Sequence, residues 1–392
     1  TELEMKLLIS LLALSLIITA CNIPPSSDYQ YSGANGLFKS NTEAQEASIH
    51  TNFSKHFMIG TAVSAKQILG SDRSTLDLVK KEFNAITPEN VMKWELIHPK
   101  PNVYEFKAAD ALVDFAEQND IFLVGHTLVW HHMTPDWIFK DDAGKYVSRE
   151  VLLGRLEEHI NAVAGRYKNR VDAWDVVNEA LNDDGSLRES NWLKIIGEDY
   201  IEIAFEMAAK AAPNAKLYYN DYSLTEPKKR RGAVRLIRSL QAKGVKIDGI
   251  GFQGHYGLTW PRLNELEDSI KAFAKLGIDI FVSELDVSVL PRGSENQLGA
   301  DISLNIEIED KLNPYPRRLP PVIEAKLARR YHEIFAVLNK HRDSISRVSV
   351  WGLSDENSWL NDWPVKERTD YPLLFDRQMK KKSFVSSLHL AK

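Results

Sequence analysis

The chain has 392 residues, of which 44% are hydrophobic and 26% charged, so a large core is available to one big domain or two ordinary ones. A formal net charge of −5 provides no basic field for nucleic acid. The single cysteine, Cys21, excludes any disulfide and leaves no thiol nucleophile further along the chain.

Met5 and Lys6 precede an apolar run from Leu7 to Ile18, too short to span a bilayer comfortably and flanked as a secretory signal is. Ile18-Thr19-Ala20-Cys21 closes the run and resembles the bacterial lipoprotein box, in which the cysteine becomes the lipidated first residue. The expectation is a signal peptide over 1–21 that starts at Met5, with lipidation at Cys21 and export to the cell envelope. Residues 22–48 contain Pro24-Pro25-Ser26-Ser27 and Ser32-Gly33-Ala34-Asn35-Gly36, lack an apolar period and read as a flexible linker.

From residue 49 onward, short apolar runs alternate with amphipathic segments. The runs are Phe57–Val63, Phe83–Asn90, Ile121–His126, Val171–Glu179, Lys216–Asp221, Ile247–His255, Ile280–Glu284 and Arg347–Gly352. Helical spacing marks 108–118, 149–167, 192–212, 228–243, 263–276 and 323–339, the last with Leu327, Tyr331, Ile334, Phe335 and Leu338 on one stripe. Such alternation, without a glycine-rich phosphate loop, predicts an α/β chain folded as a (β/α)₈ TIM barrel in one domain, 49–392. The proline-rich stretch 291–321 reads as a long loop at the face where a barrel builds its site.

Two of the runs end on glutamate: Asn178-Glu179 and Glu284. Most glutamates are solvated, and a strand-end carboxylate often only caps the next helix. Two of them closing apolar runs, however, suit a glycosidase, which needs an acid and a nucleophile or base on either side of a sugar–sugar bond. The other strand ends add Glu89, Asn90, Lys93, His126, Trp130, Asn220, Asp221, Tyr222, Gln253, His255, Asp286 and Trp351. Amides, lysine and histidine exchange hydrogen bonds with hydroxyls, and tryptophan faces stack on pyranose rings. The histidines lack metal-ligand spacing, so no metal and no cofactor is expected.

The blocks Glu89-Asn-Val-Met-Lys-Trp94, Gly125-His-Thr-Leu-Val-Trp-His131, Trp174-Asp-Val-Val-Asn-Glu179, Gly249-Ile-Gly-Phe-Gln-Gly-His255 and Ser283-Glu-Leu-Asp-Val287 resemble the signatures of glycoside hydrolase family 10, the retaining endo-β-1,4-xylanases. The resemblance spans about residues 50 to 385. It implies Glu179 as acid/base and Glu284 as nucleophile in a double displacement on xylan and xylo-oligosaccharides. It puts Asn90, Lys93, His126, Trp130, Asn178, Gln253, His255, Trp351 and Trp359 on the glycone side and Tyr222 near the aglycone side, with Glu89 also binding substrate. Asp286 is then expected to hold His255 behind the nucleophile, and Trp174 to pack in the barrel wall. In a retaining site the carboxyls stand roughly 5–5.5 Å apart, close enough for one anion to keep its neighbour protonated. Two departures are His132-Met133 where relatives carry an amide after Trp-His, and Ser223 where they often carry Asn. Met133 is expected to weaken glycone-side binding. A β-glucanase or cellulase of the same barrel clan, and a non-catalytic lipid-anchored glycan-binding protein, are the alternatives; a monomer is expected.

Overall fold

The computed structural model describes residues 47–71, 73–291, 312–364 and 366–392. The expected signal peptide with Cys21, nearly all of the linker and the middle of the 291–321 loop therefore lie outside the described residues. Strands form at the apolar runs: β1 (Met58–Val63), β2 (Ala85–Pro88), β3 (Phe122–Val129), β4 (Ala173–Asn178), β5 (Lys216–Asp221), β6 (Gly249–Phe252), β7 (His255–Gly257), β8 (Asp279–Ser288) and β9 (Ile345–Val350). Each pairs in parallel with its neighbours; β1 closes on β9, and β6 passes over the short β7 to pair with β8. The closed barrel is thus β1–β6, β8 and β9, the (β/α)₈ architecture. The run 247–255 makes two strands because Gly254 turns the chain at φ 83°.

Strands covered on both faces explain the near-continuous apolar runs. Inside the barrel, Val124, Ala173, Tyr218 and Phe281 pack with Phe122, and the Trp174 indole is fully buried in the wall. Gly125 makes room for that indole: a Cβ there would run into the ring. The helices bury the stripes their spacing predicts, Leu112, Val113 and Ala116 on Lys107–Gln118 and Leu327, Tyr331, Ile334, Phe335 and Leu338 on Pro321–Lys340. The helical period over 192–212 resolves into two helices, Asn191–Ile196 and Tyr200–Ala211. Gly197 ends the first at φ 106°, a break that apolar spacing alone does not reveal. At the start of the barrel, Glu82 accepts the Ile49 N–H at 2.9 Å and pairs with Lys381 at 3.0 Å, tying the entry of the domain to its last hairpin.

Bulges fall where the strands deliver polar side chains. The register slips between His126 and Val129 on β3, between Asp175 and Val177 on β4, and between Val282 and Leu285 on β8. An extra residue in a strand re-aims the side chains around it, so these slips turn His126 and Glu284 toward the carboxyl end of the barrel.

Candidate active site

The carboxyl ends of the strands open into a cleft of about 1230 Å³, part of it open to solvent. Of the strand-end residues read from the sequence, Glu179 and Glu284 line it with Glu89, Asn90, Lys93, His126, Trp130, Asn178, Tyr222, Gln253, His255, Asp286, Trp351 and Trp359, whereas Asn220 and Asp221 lie behind the lining. Met133 does not line it. Its carbonyl accepts the Glu95 N–H at 2.8 Å, and its backbone is left-handed at φ 45°.

Glu179 follows β4 directly and is itself left-handed, at φ 58°. For a residue with a Cβ this conformation costs roughly 1–2 kcal/mol, and it persists only when neighbours over-determine it. The residue is buried, 4% exposed. Oε1 accepts from Gln253 Nε2 at 2.8 Å and Asn178 Nδ2 at 3.4 Å. Oε2 has no hydrogen-bond partner among the described residues.

Glu284, 5% exposed, is held by donors on both oxygens. Asn220 Nδ2 reaches Oε1 at 2.7 Å, and His255 Nε2 lies 3.2 Å from Oε2. The Asn220 amide cannot turn over, because Ser283 donates to its Oδ1 at 2.6 Å while its Nδ2 also reaches Asn178 Oδ1 at 3.0 Å. Gln253 Nε2 completes the chain at 3.3 Å from Asn178 Oδ1, so the two carboxyls sit at the ends of one amide network. Burial opposes charge on Glu284, but the hydrogen bond from His255 and the positive fields of His126, His255 and Lys93 outweigh it and hold the carboxyl below its ordinary range.

His255 is the pivot of that field. Its other nitrogen meets Asp286 Oδ2 at 2.9 Å, and the same oxygen accepts Trp359 Nε1 at 2.9 Å. Burial disfavours an imidazolium, yet Asp286 and Glu284 overcome it and push His255 up to about 10. A group raised in the folded state stabilises it fully below its unfolded value of 6.5 and loses that contribution as pH rises through about 10. The gap in urea midpoint between the protein and His255→Gln should therefore be widest near about pH 6 and shrink toward about pH 10.5. A gap that stays constant over that range would mean His255 is not held as the cation.

On the other wall, Lys93 donates to Asn90 Oδ1 at 2.8 Å and lies over the Trp130 ring at 4.9 Å. Burial lowers the Lys93 pKa, against the pull of Glu284, Glu89 and Glu179. Burial likewise raises Glu89, against Lys93 and the Asn90 hydrogen bond. His126 is anchored by Asp175 at 2.9 Å and meets Trp351 edge-on at 5.4 Å. Two flat indoles, Trp359 and Trp363, stand 4.7 Å apart at the rim.

The contacts that sequence reasoning missed are Asn220 on the nucleophile, Asp175 behind His126, and Tyr256, Trp260 and Trp363 in the lining. Asn220 carried a signal, since it stands one residue before the end of β5, in register with Asn178 at the end of β4; the tryptophans lie in loops without a period. Among the described residues no group of three or more His, Cys, Asp or Glu could hold a metal ion.

Comparison with known proteins gives the family of this barrel. The model of glycosyl hydrolase family 10 matches residues 48–389. An endo-1,4-β-xylanase A from Xylanibacter ruminicola is 45% identical over 334 residues, covering 85% of this chain and 90% of its own length. A β-1,4-xylanase from Dictyoglomus thermophilum is 44% identical over 345 residues, covering 87% and 90%. Among solved structures, a GH10 endoxylanase retrieved from a sugarcane soil metagenome superposes with a TM-score of 0.85 at 43% identity, covering 88% of this chain and all of that one. A mutant in complex with xylotriose superposes at 0.76 with 38% identity, covering 88% and 99%. By its sequence, its barrel and the residues at its strand ends, the chain belongs to glycosyl hydrolase family 10.

Proposed function

We propose that this protein is an endo-1,4-β-xylanase that cleaves xylan by double displacement, with Glu284 as nucleophile and Glu179 as acid and then base. The observation that carries the assignment is the unequal support of the two carboxyls. Glu284 accepts from Asn220 and faces the His255 imidazolium, which favours the anion that must attack. Glu179 has one oxygen engaged by amides and one buried oxygen without a donor, which suits a carboxyl that carries a proton to the leaving oxygen.

In the first step a Glu284 oxygen attacks the anomeric carbon while Glu179 protonates the departing glycosidic oxygen. An ester between Glu284 and the sugar remains, with its configuration inverted. In the second step Glu179, now a carboxylate, takes a proton from water as the water displaces Glu284, and the second inversion restores the β configuration. Asn178, Gln253, Lys93 and His126 bind the sugar hydroxyls, and the tryptophans stack on its faces. Support for the substrate comes from the named activity of the relatives and from the xylotriose complex. Soluble oligosaccharides released from glucuronoxylan, with carboxymethylcellulose untouched, are the expected result; faster release from carboxymethylcellulose would make it a β-glucanase.

The apolar run ending at Cys21, the sole cysteine, supports a second element of the proposal: the mature enzyme is lipid-anchored at the cell envelope. A cysteine carrying two or three acyl chains is a firm anchor, whereas one chain binds reversibly. Cys21→Ser should move xylanase activity from the membrane fraction to the soluble one. Unchanged partitioning would rule out lipidation at this residue.

A further inference from the structure

The acid Glu179 keeps an unfavourable backbone conformation, and something must hold it. Its N–H is fixed to the Asn220 carbonyl at 2.9 Å, so β5 secures one side. On the other side the Glu179 carbonyl accepts Arg188 Nε at 3.0 Å. The same guanidinium donates from Nη2 to the Tyr222 hydroxyl at 2.6 Å. Arg188 thus joins the acid to the ring assigned to the leaving-group side of the cleft.

Both ends of this link are rigid. The Arg188 N–H returns to the Ala180 carbonyl at 2.8 Å, and Leu181 bridges Leu187, so the residues after Glu179 form a closed hairpin. Gly185 at its tip packs so closely on the Pro227–Ala242 helix that a Cβ on Gly232 would run into the Gly185 main chain, and one on Gly185 into the Lys228 carbonyl. Tyr222 is fixed by its N–H to Asp221 Oδ1 at 2.9 Å, and by the Lys229 ammonium 3.3 Å from its ring centroid. Lys229 is itself fully buried and paired with Asp221 at 2.9 Å.

We propose that Arg188 is a positioning residue for the acid step, clamping the Glu179 main chain and the Tyr222 hydroxyl in one fork so that proton donor and leaving-group platform keep their registry. A planar guanidinium reaches both acceptors at once from different nitrogens; an ammonium on a flexible stem does not. With the fork gone, the Glu179 carbonyl loses the donor that fixes its orientation, and its carboxyl shifts from the leaving oxygen. A displacement of about 1 Å is enough to lose roughly 10²-fold in a step that depends on that geometry.

The inference rests on Glu179 as the acid, so its test compares a leaving group that needs a proton with one that does not. The readout is kcat/KM, which reports events through release of the first leaving group. Arg188→Met should lower kcat/KM on xylohexaose about 30- to 100-fold and on 2,4-dinitrophenyl β-xylobioside less than about threefold. If that variant does not fold, Arg188→Lys carries the same comparison, because it keeps the charge and loses the fork. A ratio of the two losses above about ten supports the proposal. A smaller ratio, whether both substrates suffer alike or neither suffers, overturns it, since a merely structural role does not distinguish leaving groups. Glu179→Ala measured in parallel separates the two possible failures. If it too fails to discriminate, the acid assignment is wrong; if it discriminates and the Arg188 variants do not, only the role of Arg188 is wrong.

Discussion

Glu284→Ala should lose activity on every xylose-containing substrate, however good the leaving group, by roughly 10⁵- to 10⁶-fold in kcat, the scale seen when an enzyme loses its nucleophile. The loss has a single cause: without the carboxylate no glycosyl-enzyme forms, and the remaining donors of Asn220 and His255 hold nothing that can attack. An aryl xylobioside with an activated phenol should show neither turnover nor a burst. The fold should survive, because His255 keeps Asp286 and Asn220 keeps Ser283. A urea melt alongside the assay separates lost chemistry from lost structure. Residual hydrolysis of the activated substrate within about tenfold of the parent would place the nucleophile elsewhere.

Glu179→Ala should behave differently. Cleavage of xylan, whose leaving alcohol needs a proton, should fall about 10²- to 10⁴-fold. The activated aryl xylobioside needs little protonation, so its phenol should leave at close to the native rate in the first turnover. The second step then lacks its base, and the glycosyl-enzyme should accumulate. Stopped-flow release of the phenol should therefore show a burst equal to the enzyme concentration, followed by slow turnover. Equal losses on both substrates, with no burst, would remove Glu179 from the acid role.

Much of this was legible in the sequence because the strand ends of a barrel are where an apolar period stops and polar chemistry begins. Asn178-Glu179 and Glu284 interrupt otherwise buried runs, and Glu89, His126, Gln253 and Trp351 do the same on other strands. The barrel then brings these ends to one face, and all of them line one cleft. Contacts made across the fold were less legible. Asn220 looked like Asn178, yet its grip on Glu284 depends on Ser283 fixing its amide from β8, two strands away in the barrel. Arg188 sits in a hairpin without periodicity, and nothing in its neighbours in sequence points to Glu179 or Tyr222. The departure at Met133 illustrates the reverse: a position that stood out by comparison of motifs lies outside the lining, with its main chain rather than its thioether tied into the fold. The single helix expected over 192–212 became two because a glycine with positive φ interrupts a period that apolar spacing carries straight through.

The most direct test of a covalent intermediate on Glu284 with Glu179 as acid/base is the configuration of an azide product. Glu179→Ala should be incubated with an activated aryl xylobioside and sodium azide, and the product followed by proton NMR. Azide is small and needs no base, so it should enter where water stalls, displace the Glu284 ester and restore turnover. Two inversions at one carbon yield β-xylobiosyl azide. An α-azide from this variant, or rescue of Glu284→Ala to a β-azide, would contradict the account.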